Sequence, residues 1–173
     1  DIMPGSTDPT NGIMPQQPIH RCMLPMCTRL NTTELTTNPY ESALGGRVLV
    51  GHSGQPLMDM LLQVPVSTIS DENNDDNSME TDATHSGESQ ALQMLVQSLR
   101  WGHLCPTAPD SLACYPYLQE DPFVMEELPD VVFAGGMHKF ETTIVEDFSG
   151  HAAQAHRTRV VCVPSFKLTR EVV

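Results

Sequence analysis

Cationic side chains are scarce in this sequence: nine Lys and Arg stand against 22 Asp and Glu in 173 residues, for a formal net charge of −13. A surface that grips nucleic acid neutralises phosphates with clustered Lys and Arg, so that function is excluded for this chain acting by itself. Paired cysteines are lacking too. Cys22, Cys27, Cys105, Cys114 and Cys162 are odd in number and irregular in spacing, with no CxxC pair. This excludes a zinc ribbon or a secreted disulfide framework and predicts buried free thiols in a reducing compartment. No apolar run is long enough to cross a bilayer and no signal-peptide pattern occurs, so a soluble intracellular protein without a membrane partner is expected. Neither a P-loop nor a dinucleotide Gly-rich loop is present, and no internal repeat is visible. The length suffices for one domain with a core. The chain opens at Asp1 without Met and closes on Glu171, Val172 and Val173 as though inside a strand, so we read it as a piece of a longer protein.

Organisation centres on Leu128 to Phe140, LPDVVFAGGMHKF. Val131, Val132, Phe133 and Ala134 form a short apolar run that Gly135 and Gly136 are expected to stop, giving a buried strand that feeds a tight loop. Met137 and His138 then fall at the carboxyl end of the strand, where layered α/β folds carry ligand-binding groups. A second strand is predicted at Arg47–Gly51, followed by a loop containing His52 and a helix opened by Pro56 with Leu57, Met60 and Leu61 on one face. Leu92, Leu95, Val96 and Leu99 define an amphipathic helix with Ser89 as its cap. Thr142 to Glu146 and Arg159 to Val163 read as further strands joined by a polar link from Asp147 to Thr158. Strands alternating with two helices predict a layered α/β domain.

Other stretches resist regular structure. Prolines at 4, 9, 15, 18 and 25 make Asp1 to Pro25 a long loop following the surface, and Trp101 to Phe123 returns to prolines and aromatics on an irregular path. Ser67 to Gln90 carries seven acidic residues, no Lys or Arg and few large apolar side chains, so a disordered acidic insertion is expected over 67–90. His20, His85, His103, His151 and His156 lack partners at ligand spacing and are expected in exposed or capping roles. Met58, Met60 and Met94 are expected to pack, and Asp110 has no triad partner.

The segments DIMPGSTDPTNGIMPQQPIH, LTTNPYESALGGRVLVGHSGQ, CPTAPDSLACYPYLQEDPF and LPDVVFAGGMHKF together resemble the carboxyl-terminal part of the small regulatory (B) subunits of eukaryotic DNA polymerase delta. The resemblance covers nearly everything but the acidic insertion. It implies a calcineurin-like phosphoesterase fold, two packed β-sheets flanked by helices, with this chain its carboxyl-terminal part and an OB-fold upstream. It implies a nuclear, non-enzymatic scaffold without cofactor or metal, touching DNA only through its complex. The partners implied are the cysteine-rich carboxyl-terminal module of the polymerase catalytic subunit and a third, clamp-binding subunit.

Active relatives of this fold hold two metals, one lowering the pKa of the attacking water and both stabilising the in-line transition state. Their Gly-Asn-His-Asp motif falls on Gly5, Ser6, Thr7 and Asp8, and their Gly-His-x-His motif places its first imidazole at Gly136. Ser6, Thr7 and Gly136 have thus lost donors, while Asp8, His52 and His138 remain as relic metal-site positions. The competing reading is a metal-dependent phosphodiesterase or exonuclease like the small subunit of archaeal D-family polymerases.

Overall fold

The computed structural model describes residues 1–63, 89–146, 156–170 and 172. Among them runs one mixed five-stranded sheet, built from β1 (Tyr40–Leu44), β2 (Arg47–His52), β3 (Val131–Met137), β4 (Glu141–Glu146) and β5 (Arg157–Pro164) in the order β1-β2-β3-β5-β4. The apolar strands β2, β3 and β5 are parallel and central, and both edges are antiparallel. Helices α1 (Gln55–Gln63) and α2 (Gln90–Trp101) fall between β2 and β3 in the chain, and a short α3 (Phe166–Thr169) follows β5.

The two longer helices form where the apolar spacing places them. Leu57 and Met60 of α1, and Leu92, Leu95 and Leu99 of α2, pack on Val132, Ala134, Val160 and Cys162 of the sheet. Each fully buried large aliphatic side chain contributes roughly 1.5–3 kcal/mol. Ser89 caps α2, its hydroxyl accepting the Leu92 N–H, and Gly102 closes the helix in the left-handed conformation. A second cluster joins Met14, Val50, Leu104, Cys105 and Phe123, so the proline-rich stretches are stitched into the core.

Several expectations change. Gly135 and Gly136 do not end β3. The strand runs on to buried Met137 through a register shift after Ala134, a bulge for which Gly136 takes φ +69°. Strand β1 was not expected: its side chains alternate weakly because it is an edge strand, and its signal is the Gly45-Gly46 hairpin turn, with φ +58° and +78°. Asp1 to Pro25 is not wholly a surface loop, since Met14, Gln16 and Ile19 are buried and Arg21–Met23 forms a 3₁₀ turn. Strand β5 begins at Arg157, inside the expected polar link. Ser89 and Gln90 belong to the start of α2, and the remainder of the acidic stretch, 67–88, lies outside the described residues, as do His85 and His151. Of the cysteines, Cys105 and Cys162 are buried as free thiols, whereas Cys22 is exposed. Met60 and Met94 are buried, and Met58 is exposed.

Candidate functional site

Parallel pairing of β2 with β3, with His52 opposite Ala134, brings the ends of both strands to one edge of the sheet. Three loops meet there. A Cβ built on Gly5 would lie 3.8 Å from Ser53 Cβ, one on Gly135 would lie 3.6 Å from Ser53 Cα, and one on Gly54 would collide with the Gly135 carbonyl at 2.2 Å. The motif positions at Gly5–Asp8, His52 and Gly136 therefore converge, although 131 residues separate the first from the last.

Convergence does not gather a ligand set. Among the described residues, no group of three His, Cys, Asp or Glu side chains could hold a metal ion. Asp8 is exposed and turns inward on its own loop, where its Oδ2 accepts the Gly5 N–H at 2.7 Å. Ser6, Thr7 and His138 are exposed. His52 is wholly buried, and burial pushes its pKa down to about 4, so the ring is neutral at pH 7.

The proton on that ring has a defined place. Gly54 N–H, an obligate donor, points at His52 Nδ1 at 3.1 Å. A neutral imidazole that accepts at Nδ1 carries its hydrogen on Nε2. Nε2 is itself buried without a hydrogen-bond partner. Neither nitrogen thus offers a free lone pair, so this arrangement suits a loop clasp and not a metal ligand.

Neutral amides fill the space beside the clasp. Asn38, fully buried, directs its Nδ2 at Gln16 Oε1 (2.7 Å), Ser53 Oγ (2.8 Å) and Gln55 Oε1 (2.7 Å), while its Oδ1 accepts the Ser53 N–H at 3.2 Å. Gln16 extends the network to the carbonyls of Asn11 and Gly5, tying the Gly5–Asp8 loop to the same cluster. Such a network is satisfied without any ion. It supplies no negative charge to offset the dehydration of a divalent cation. The motif comparison missed Asn38, Gln16 and Gln55; the one local sign was an amide beside a proline in PQQP and NPY.

The remaining histidines among the described residues act locally. His20 caps the Arg21–Met23 turn, His103 Nδ1 accepts the Cys105 N–H while Nε2 pairs with Asp121 at 3.1 Å, and His156 lies 3.2 Å from the Pro129 carbonyl. Burial pushes the Cys162 thiol up to about 12 and that of Cys105 higher still, so neither is a nucleophile near neutrality.

What the fold and the loop cluster define is an α/β arrangement in which the space at the ends of β2 and β3 is filled by neutral amide, hydroxyl and imidazole side chains. The chain belongs to the DNA polymerase alpha/epsilon B-subunit family, a sequence model of which matches residues 1–142. It is 41% identical over 172 residues to DNA polymerase delta subunit 2 of Drosophila melanogaster, covering 99% of this chain and 34% of that protein. It is 36% identical over 166 residues to the DNA polymerase delta small subunit of Oryza sativa subsp. japonica (96% and 32% covered) and 29% identical over 188 residues to that of Saccharomyces cerevisiae (100% and 36%). The chain thus spans about a third of the length of the curated relatives it matches.

Proposed function

We propose that this chain is the carboxyl-terminal part of a non-catalytic accessory subunit of DNA polymerase delta, acting in the nucleus in replication and repair synthesis. In this reading residues 1–173 close a calcineurin-like phosphoesterase domain that follows an OB-fold, and Asp8, His52 and His138 mark a metal site turned structural. The whole protein bridges the cysteine-rich module of the catalytic subunit to a third, clamp-binding subunit and meets DNA only through the assembly. Family membership and the delta small-subunit relatives support the polymerase assignment.

The observation that carries the non-catalytic part is the Gly54 N–H seated on His52 Nδ1. Phosphoesterase chemistry requires a metal-bound hydroxide and a two-metal clamp on the transition state, whereas here an imidazole at the strand end spends its lone pair on the backbone. The net charge of −13 agrees with a protein that works through protein contacts. The test is whether the full-length protein retains the catalytic subunit and the third subunit, each expressed separately. Each is expected to be held at micromolar concentration, and failure to hold either ends the scaffold reading.

A further inference from the structure

The loop between Cys114 and Phe123 is pinned at both ends and open in the middle. Tyr115 N–H donates to the Met14 carbonyl at 3.0 Å, and Phe123, buried in the second cluster, accepts the Leu104 N–H at 2.8 Å and donates its own to Asp121 Oδ1 at 2.9 Å. Between these anchors Leu118 is 96% exposed and Tyr117 49% exposed. Pro116 and Pro122 restrict the backbone on either side, so the apolar side chains are displayed at little further cost in order.

One groove is lined by this loop along its length, and a second meets it at Pro122. The first, of about 370 Å³, is lined by Pro109, Cys114, Tyr115 and Tyr117 and edged by Glu120 and Asp121. The other, of about 490 Å³, runs past Tyr40, Val48 and Val124 and is edged by Glu41, Glu126 and Glu127. No Lys or Arg lines either groove. An apolar centre built on tyrosines and surrounded by charges of one sign is the anatomy of a protein-docking surface. The sign selects the occupant, because such a rim repels phosphodiester chains and acidic segments and favours Lys and Arg.

We propose that the surface around Tyr117 and Leu118 docks an extended basic segment of another protein, with one large apolar side chain seated among the tyrosines and Lys or Arg against Glu120 and Asp121, which line the same groove. This goes beyond the accessory-subunit reading and does not depend on it: a failure here leaves the outcome of the subunit-retention test unchanged.

The probe is a labelled synthetic peptide with a central Phe flanked by Lys and Arg, titrated into the full-length protein and read by fluorescence anisotropy. Two companion peptides replace the Phe by Gly or every basic residue by Glu. Binding of the first is expected to weaken about tenfold in a Tyr117→Ala, Leu118→Ser variant, the size of effect typical of a central interface contact. The Gly peptide should bind weakly and respond to neither substitution, and the Glu peptide should not bind. Leu118→Ser alone serves as the second variant, since so exposed a side chain can be changed without disturbing the fold. Equal affinity for the Phe and Gly peptides would reduce the effect to diffuse charge attraction and overturn the proposal. No binding of the Phe peptide, or binding indifferent to Leu118→Ser, would overturn it as well.

Discussion

His52 and Gly54 form a closed unit, the backbone N–H of the glycine donating to Nδ1 of an imidazole two residues before it at 3.1 Å. The loop after β2 folds back upon the imidazole at the end of that strand. Gly54 can do this because it takes φ +106° and packs against Gly135, where any Cβ would strike the carbonyl. Strand end, loop and bulge therefore depend on one another.

The buried imidazole makes stability depend on pH. In the unfolded chain it takes a proton below about 6.5, whereas in the fold it stays neutral down to about 4. Between those values the unfolded state binds more protons, so stability is full above pH 6.5 and falls as pH drops, by a total on the order of 3 kcal/mol. In His52→Asn an amide oxygen can still accept the Gly54 N–H, but nothing titrates. Urea unfolding of the full-length protein at pH 7 and pH 5 should show a smaller loss in the variant, and parallel losses would refute the assignment.

Placing an imidazole at Gly136 should not create a metal site. Gly136 has φ +69°, and a Cβ there would sit 3.1 Å from the Ser53 carbonyl. Gly136→His is expected to cost about 1–2 kcal/mol of stability from left-handed backbone strain alone. Isothermal titration with manganese should show no new site. Metal binding gained at unchanged stability would mean that the bulge can adapt.

The amide cluster is expected to hold the three loops together. Asn38→Ala removes the acceptor of the Ser53 N–H and one donor shared among Gln16, Ser53 and Gln55, which keep the Gln55 Nε2–Gln16 Oε1 and Ser53 Oγ–Gln55 Oε1 bonds, a loss of about 1–3 kcal/mol by the cost of one buried unpaired group. Thr142→Ala, on the exposed side of β4, should change stability by less than about 0.5 kcal/mol. A similar small effect at Asn38 would show that the amides are not a structural plug.

Catalysis offers the most direct contrast. With lone pairs at His52 committed and no cluster of anionic or imidazole donors among the described residues, the full-length protein in millimolar manganese is expected to hydrolyse neither a phosphodiester nor a DNA end above a buffer control. Turnover that disappears in His138→Ala would establish an enzyme, because a contaminating nuclease does not respond to that substitution.

Much of the framework was legible in local pattern. Leu92, Leu95 and Leu99 at one-face spacing with Ser89 before them define α2, because hydrophobic period and capping act within a turn or two of helix. The apolar runs at Val48–Val50 and Val131–Ala134 mark parallel strands for the same short-range reason. The family, too, could be read from contiguous motifs. Tertiary structure decided the rest. Whether Gly135 and Gly136 end a strand or bulge within it depends on what Ser53 and Gly54 bring against them. The partners of Asn38 come from positions 16, 53 and 55, and only the register of β2 against its neighbours sets them within hydrogen-bond reach. Which nitrogen of His52 carries its proton was settled by one backbone amide folded onto the ring, since a tautomer is fixed by the hydrogen bond made in space and leaves no trace in residue order.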